Sequence, residues 1–503
     1  MLGIVKRYGI LFVLLCWPLF RATAQATPVF DFNPQCQQAY ARIIQLRMKE
    51  AATLIAREKQ AHPGNLIPYF LDNYIATFRL LFNGAPSDYQ QYLKQSEERV
   101  SRVKTGPSDS PYYLYLQSVM NLQTAACKYK FGDRVSSFWN VRRSYLQILS
   151  NQKKHPDFDP NKIVLGPMKA LVGSIPSNYR WATRLLGFKD GSVNEGLRLM
   201  QSFLDAPRPQ GAFFKQEAVF YYAYMVFYLK HEPDAAIAVV QEHHLDLRTN
   251  ALYAFMTANL YLNDHAADKA LTILQQRQTS PAYMDIPVMH YELATAYLYH
   301  LELDRAIAEF KRFLEGYNGR LYAKDALYKI SWAYYLKGDR PSAEKYRKLV
   351  LSEGSEVADA DKVAVREVQA GEWPDPVILQ ARLLFTGGYF NEALDKIRSR
   401  EVADYAQLED KVEYTYFLAR IRDEMGQDDQ ALLLYEAAIK GGKQLPQYFA
   451  ARAALQMGFI YEQRGEKQQA IHYFNACLNM PNEEYKETLD QRAKSGISRL
   501  SSR

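Results

Sequence analysis

An all-α chain, an α-solenoid of stacked helical hairpins, is predicted by three features of this 503-residue sequence. Small-residue pivots recur at Ala236, Ala270, Ala306, Ala343, Ala393, Ala431 and Ala470, separated by 34, 36, 37, 50, 38 and 39 residues. Gly338, Gly388, Gly426 and Gly465 stand at one fixed distance before their pivots, where a helix C-cap needs φ > 0. Four positions after several pivots comes a larger residue on the same helix face: Leu274, Phe310, Tyr435 and Phe474. At this length one compact core has stopped growing, so a solenoid is the economical way to bury apolar side chains.

Taken from the N-terminus, Lys6 and Arg7 precede an uncharged apolar run from Tyr8 to Phe20, followed by Arg21 and Ala22-Thr23-Ala24. This predicts a secretory signal peptide over 1–24. A run of that length falls short of the about 20 residues needed to cross a bilayer core, and no later stretch is apolar enough to span. Cys16 follows Leu14-Leu15 inside the run, and it reads as part of the apolar segment rather than a lipid-attachment site. Removing 1–24 takes the formal net charge from +7 to +4, which gives no argument for nucleic acid or an anionic surface. The expected location is the periplasm or cell envelope, or outside the cell. Export leaves a Cys36–Cys127 disulfide open, with Cys477 at a small packing position.

Residues 25–210 read as diverged helical hairpins that lack the pivot spacing. Their joints fall at Pro63-Gly64, Gly84-Ala85-Pro86, Gly106-Pro107, Pro156 to Pro160 and Pro207-Arg208-Pro209-Gln210-Gly211. Amphipathic runs such as Ala39 to Lys59 and Tyr112 to Phe131 lie between them. Residues 211–503 form the array, with an insertion at about 351–376 read as a loop or an extra short helix. Pro374 and Pro376 open the hairpin after it.

The stretch containing Ala454, Gly458, Tyr461, Gly465, Ala470, Phe474 and Pro481 resembles the tetratricopeptide (TPR) signature. The resemblance extends over roughly 214–500, with Arg422 and Leu384 in place of the first-helix Tyr and with Ser331 or Ala294 matching Gly458. It implies a right-handed solenoid whose first helices line a concave binding surface. A weaker local similarity, over 163–204 with Gly166, Pro176, Leu185-Leu186-Gly187-Phe188, Asp190 and Gly196-Leu197, is to the eukaryotic inclusion-body-clearance TPR family. That family implies a non-enzymatic adaptor.

No catalytic residue, metal ligand or cofactor site is expected. The chain lacks a Gly-x-Ser-x-Gly elbow, His-Glu-x-x-His, a phosphate loop and Cys-x-x-Cys. Asp157, Asp159 and Asn161 begin like a calcium loop, but Lys162 occupies the glycine position and Met168 the position of the closing Glu.

Projecting the repeat register makes Tyr291, Tyr299, Tyr328, Trp332, Tyr335, Arg382, Tyr416 and Arg420 the groove candidates, since aromatic and Arg side chains dominate binding hot spots. With 37 tyrosines in the chain, packing between hairpins competes with that role at each Tyr. The expectation is an exported, non-enzymatic scaffold for a peptide or protein partner, with peripheral association to an envelope complex and no nucleic acid. The alternative is an outer-membrane-associated glycan-binding protein of a carbohydrate-uptake system, a class that normally adds a lipidated Cys and a large non-TPR insertion, neither evident here.

Overall fold

The computed structural model describes residues 27–175, 187–189, 191–207 and 209–501. The signal segment read at 1–24 lies outside them, as does part of the 163–204 stretch. Among the described residues are 24 α-helices, and the β pairing there is an isolated bridge between Val29 and Asn65.

The N-terminal region comprises α1 (Pro34–Ile44), α2 (Met48–Ala61), α3 (Ile67–Asn83), α4 (Pro86–Val103), α5 (Pro111–Lys130), α6 (Arg134–Lys154), α7 (Asn161–Ser174) and α8 (Val193–Asp205). Next come α9 (Lys215–Met225), extended by a π turn at Val226–Lys230, then α10 (Pro233–Glu242), α11 (Ala251–Asn263) and α12 (Ala267–Gln276). They are followed by α13 (Val288–Tyr299), α14 (Leu303–Gly316), α15 (Ala323–Leu336) and α16 (Arg340–Ser352). A helix without a hairpin partner, α17 (Asp359–Ala370), occupies the 351–376 stretch and packs on α15 and α16. The array ends with α18 (Pro376–Gly387), α19 (Phe390–Ile397), α20 (Leu408–Glu424), α21 (Asp428–Gly442), α22 (Phe449–Gln463), α23 (Lys467–Leu478) and α24 (Lys486–Ser501). Sequence neighbours pack antiparallel as hairpins, and each hairpin leans on the next, giving a TPR-like α-solenoid.

The turns explain why the hairpins form. All seven pivot alanines are fully buried. Five residues before each, the backbone is left-handed: φ is +60° at His231, +51° at His265, +59° at Leu301, +81° at Gly338, +88° at Gly388, +71° at Gly426 and +77° at Gly465. At Gly465 this lets its own N–H donate to the Glu462 carbonyl and the next N–H, of Glu466, donate to Tyr461. That pair is a Schellman closure, which satisfies carbonyls the helix end would otherwise leave bare. Leu301, Gly338, Gly388 and Gly426 make the same pair of bonds. Glycine takes the conformation freely, whereas Leu301 and the two histidines hold it against a steric cost of about 1–2 kcal/mol each.

The N-terminal region, expected to lack the pivot, uses the same device twice. Leu46 (φ +62°) precedes buried Ala51 by five residues, and Gly132 (φ +82°) likewise precedes buried Ser137. Arg47 N–H donates to Arg42 and Asp133 N–H to Lys128, as at Gly465.

Close packing follows the small residues. A Cβ on Gly458 would sit 2.4 Å from the Phe474 ring, and one on Gly496 would meet its other edge at 2.4 Å, so α22 and α24 clamp that ring between them. At the α7–α8 crossing, a Cβ on Gly196 would lie 2.3 Å from the Gly166 carbonyl oxygen. These two glycines, part of the 163–204 similarity, allow two backbones to touch.

The inner side of the N-terminal region is filled by its own aromatic side chains. Phe213 and Phe214, just before α9, insert among the rings of Phe32, of Tyr40 on α1 and of Tyr115 on α5. Ring centroids are 4.4 Å apart for Phe32–Phe213, 5.0 Å for Tyr40–Phe214 and 5.9 Å for Tyr115–Phe214. Glu217 ties this centre together by accepting from the hydroxyls of Tyr40, Tyr74 and Tyr221. The region also grips loops of the array: Met284 N–H donates to the Leu46 carbonyl at 2.7 Å, Asn318 N–H to Asn83 Oδ1 at 2.9 Å, and Lys130 lies 5.4 Å over the Tyr317 ring.

The disulfide left open by the sequence is not formed. Cys36 and Cys127 are free thiols in separate clusters, the first beside Asn65 and the second beside Leu80 and Tyr92. Burial pushes both thiols up to about 12, which makes them poor nucleophiles.

Candidate binding groove

The first helices of the array, α9, α11, α13, α15, α18, α20, α22 and α24, stand side by side, and polar side chains link one to the next. The Tyr224 hydroxyl donates to Asn259 Oδ1 at 3.2 Å, and Asn259 Nδ2 donates to Glu292 Oε1 at 2.9 Å, joining α9, α11 and α13. Across α13 and α15, Lys329 Nζ lies 2.7 Å from Asp325 and donates to the Tyr291 hydroxyl at 2.8 Å, which in turn donates to Asp325. The Arg382 guanidinium of α18 lies 5.1 Å over Trp332 of α15 and 3.9 Å from Glu413 of α20. Further on, Gln456 of α22 reaches Asp423 of α20 at 3.5 Å.

Charge is held here in surroundings of reduced polarity. Burial pushes both Glu292 and Glu413 up to about 7, with Asn259 and Arg382 respectively opposing the shift. Burial works most strongly against the Lys329 ammonium, but Asp325, Tyr299 and Glu292 together outweigh it and the group is raised.

The structure divides the eight candidates. Tyr291, Tyr328, Tyr416 and Arg420 are buried, at 8%, 3%, 1% and 8% exposure. Their rings and stem fill space between hairpins, and the expectation that these four present a surface to a partner is corrected to packing with a polar tip. Tyr299, Trp332, Tyr335 and Arg382 are half-buried. Of these, Tyr335 is engaged at the 371–375 linker: it stacks on Trp373 at 4.6 Å, lies under Arg340 at 4.3 Å and donates to the Pro374 carbonyl at 3.0 Å. Tyr299, Trp332 and Arg382 remain partly open on the inner face.

Sequence reasoning missed Tyr448, Arg452, Tyr485 and Arg492. Arg452 lies 5.8 Å over Tyr448, Tyr448 meets Tyr485 edge-on at 4.9 Å, and Arg492 lies 5.1 Å over Phe459. Burial lowers the Arg492 guanidinium, and Arg452 and Arg420 lower it further. The lone helix α17 forms a rim here, with Arg366 3.4 Å from Glu484 and 5.7 Å over Tyr485. A signal for Arg452 was present in the register. Arg382 and Arg420 each stand six residues before a turn glycine, and Arg452 stands two helical turns further back from Gly465, which preserves the face. Among the described residues no group of three or more His, Cys, Asp and Glu side chains could hold a metal ion, and no helix is long and apolar enough to cross a membrane.

No family model and no curated protein matches the chain. Solved structures similar in arrangement include a human IFIT1 dimer with m7Gppp-AAAA, at 13% identity over 82% of this chain and 90% of that one, with a TM-score of 0.38. Yeast Tom70 is similar at 12% identity over 93% of this chain and 96% of its own, with a TM-score of 0.26.

Proposed function

We propose that this chain is an exported, non-enzymatic helical scaffold that takes a segment of a protein partner along the inner face of its array, peripheral to an envelope complex. One observation carries the reading. The first helices of the array present a belt of half-buried Tyr, Arg, Lys and Glu side chains that bridge neighbouring hairpins, whereas the matching side of the N-terminal region is packed shut. A solenoid that spends stability on holding charged groups in a partly dry furrow supplies directional contacts along an extended surface, which is how stacked hairpins bind.

The test is site-specific photocrosslinking in intact cells from a reactive amino acid at Tyr299. A discrete protein adduct that disappears when the same residue is placed at exposed Leu433 on the outer helix α21 is the expected result. Equal labelling from both positions, or none from Tyr299, removes the groove from the account. Export is checked separately by the mass of the mature protein, expected to start at Gln25.

A further inference from the structure

Four successive first helices each carry one arginine on an aromatic ring. Arg382 lies 5.1 Å over Trp332, Arg420 5.2 Å over Phe385, Arg452 5.8 Å over Tyr448 and Arg492 5.1 Å over Phe459. For three of the four, the ring belongs to the preceding first helix, so the guanidinium spans the seam between two hairpins. A guanidinium lying over a ring keeps its edge N–H groups available for a bidentate acceptor.

Charge along this ladder is graded. Arg420 is met by Asp423 at 3.1 Å and Glu424 at 2.6 Å, and Arg382 has Glu413 at 3.9 Å. Arg452 and Arg492 have no carboxylate within ion-pair distance among the described residues, although each lies in the electrostatic field of the other. Nearby acids are engaged elsewhere: Glu462 with Arg499 at 2.6 Å, Asp490 with Lys486 at 2.9 Å and Glu484 with Arg366 at 3.4 Å. Arg492 is exposed and Arg452 half-buried. Burial with Arg452 and Arg420 lowers the first guanidinium, whereas Tyr416 chiefly raises the second, and both present uncompensated positive charge to an anionic group from outside.

We propose that the C-terminal half of the groove receives an extended acidic segment of a protein partner, whose carboxylates meet Arg452 and Arg492 on successive first helices, beyond the buried and internally paired Arg420. This deepens the groove reading above and rests on it. Packed helices lie about 8–10 Å apart, and one three-residue turn of a polyproline-II chain covers about 9 Å and returns its side chains to the same side. The segment therefore carries Asp or Glu at about every third position. Tyr448 and Tyr485 flank its path, and Glu413 with Glu367 of α17 repel it at the Arg382 end, which sets its charge density toward α24.

Fluorescence anisotropy of the purified full-length chain with a labelled twelve-residue Gly/Ser peptide bearing Glu at every third position tests this. Saturable binding that weakens at least tenfold in Arg452→Gln/Arg492→Gln, recovers in part in Arg452→Lys/Arg492→Lys and fades between 50 and 500 mM salt is expected. A matching Lys peptide shows none. Both doubles are checked for a native thermal transition, and if the Gln double fails to fold, the single variants Arg452→Gln and Arg492→Gln are each expected to weaken binding about threefold. Absence of binding by the Glu peptide, binding indifferent to both doubles, or tighter arginine-dependent binding of a twelve-nucleotide single-stranded RNA would each overturn the proposal. If the Tyr299 photocrosslink persists in Arg452→Gln/Arg492→Gln, the acidic segment is wrong while the groove stands; if no crosslink forms in the wild type, the groove itself is wrong.

Discussion

The N-terminal region and the array are built from the same hairpin, closed at Leu46 and Gly132 by the turn that closes it at Gly465, yet their inner faces differ in kind. Before α9 the first helices turn Tyr40, Phe70, Tyr112 and Tyr115 inward, and Phe32, Phe213 and Phe214 from the segments before α1 and α9 complete a solid aromatic centre. Beyond it they turn Asn259, Glu292, Lys329, Arg382 and Arg452 to that side, and polar bridges from one first helix to the next take the place of packed rings. The turn and the pivot determine that hairpins stack, while the inward residue of the first helix decides whether the stack is filled or open. Packing and binding are thus written at different positions of one repeat.

Four substitutions probe this contrast. Phe214→Ala empties the aromatic centre and should cost about 3–5 kcal/mol, read by denaturant unfolding. A loss below about 1 kcal/mol would mean that the centre is not what holds the N-terminal region together. Ala470→Trp overpacks a pivot and should cost about 1–3 kcal/mol in the same measurement, with the groove's ligand binding weakened only through unfolding. His231→Gly relieves a left-handed, exposed non-glycine residue at the turn before Ala236 and should add about 1 kcal/mol. No gain would separate that turn from the others.

The fourth substitution, Glu292→Gln, acts through pH. Burial holds the folded-state carboxyl at about 7, above its ordinary 4.5, so the folded chain binds the proton more tightly than the unfolded one. The stabilisation this provides is full below pH 4.5 and lost as pH rises through 7. The variant should therefore show a flatter melting temperature over that window and gain on the wild type at pH 8 relative to pH 4. A parallel pair of profiles would place Glu292 in water.

Much of the frame was legible because its signals are compositional and local. Ala470, Gly465 and Phe474 announce a pivot, a turn and a knob in ten residues. The turns at His231, His265 and Leu301 carry no such mark, since nothing in a histidine or leucine indicates positive φ until tertiary packing imposes it. Ala51 and Ser137 escaped notice because each stands alone, without a neighbour at one period. The groove was harder to read. Tyr328, Trp332 and Tyr335 lie on one helix within two turns, yet the first is buried, the second half-open and the third committed to Trp373. A periodicity gives the face of a helix but not how far the next hairpin overlaps it, and that overlap is what separated Tyr416 at 1% exposure from Arg382 on the adjoining helix.

The grip of the N-terminal region on the array's loops, at Leu46–Met284, Asn83–Asn318 and Lys130–Tyr317, has a mechanical consequence. A free row of hairpins behaves as a spring, lengthening and unwinding by small rotations at every joint. Here one edge of α13 through α15 is splinted against the N-terminal block. The turn between α18 and α19 is braced in addition, since His265 Nδ1 donates to the Thr386 carbonyl at 3.0 Å and His300 stacks on Tyr389 at 4.4 Å. A guest would meet a stiff jaw along this stretch.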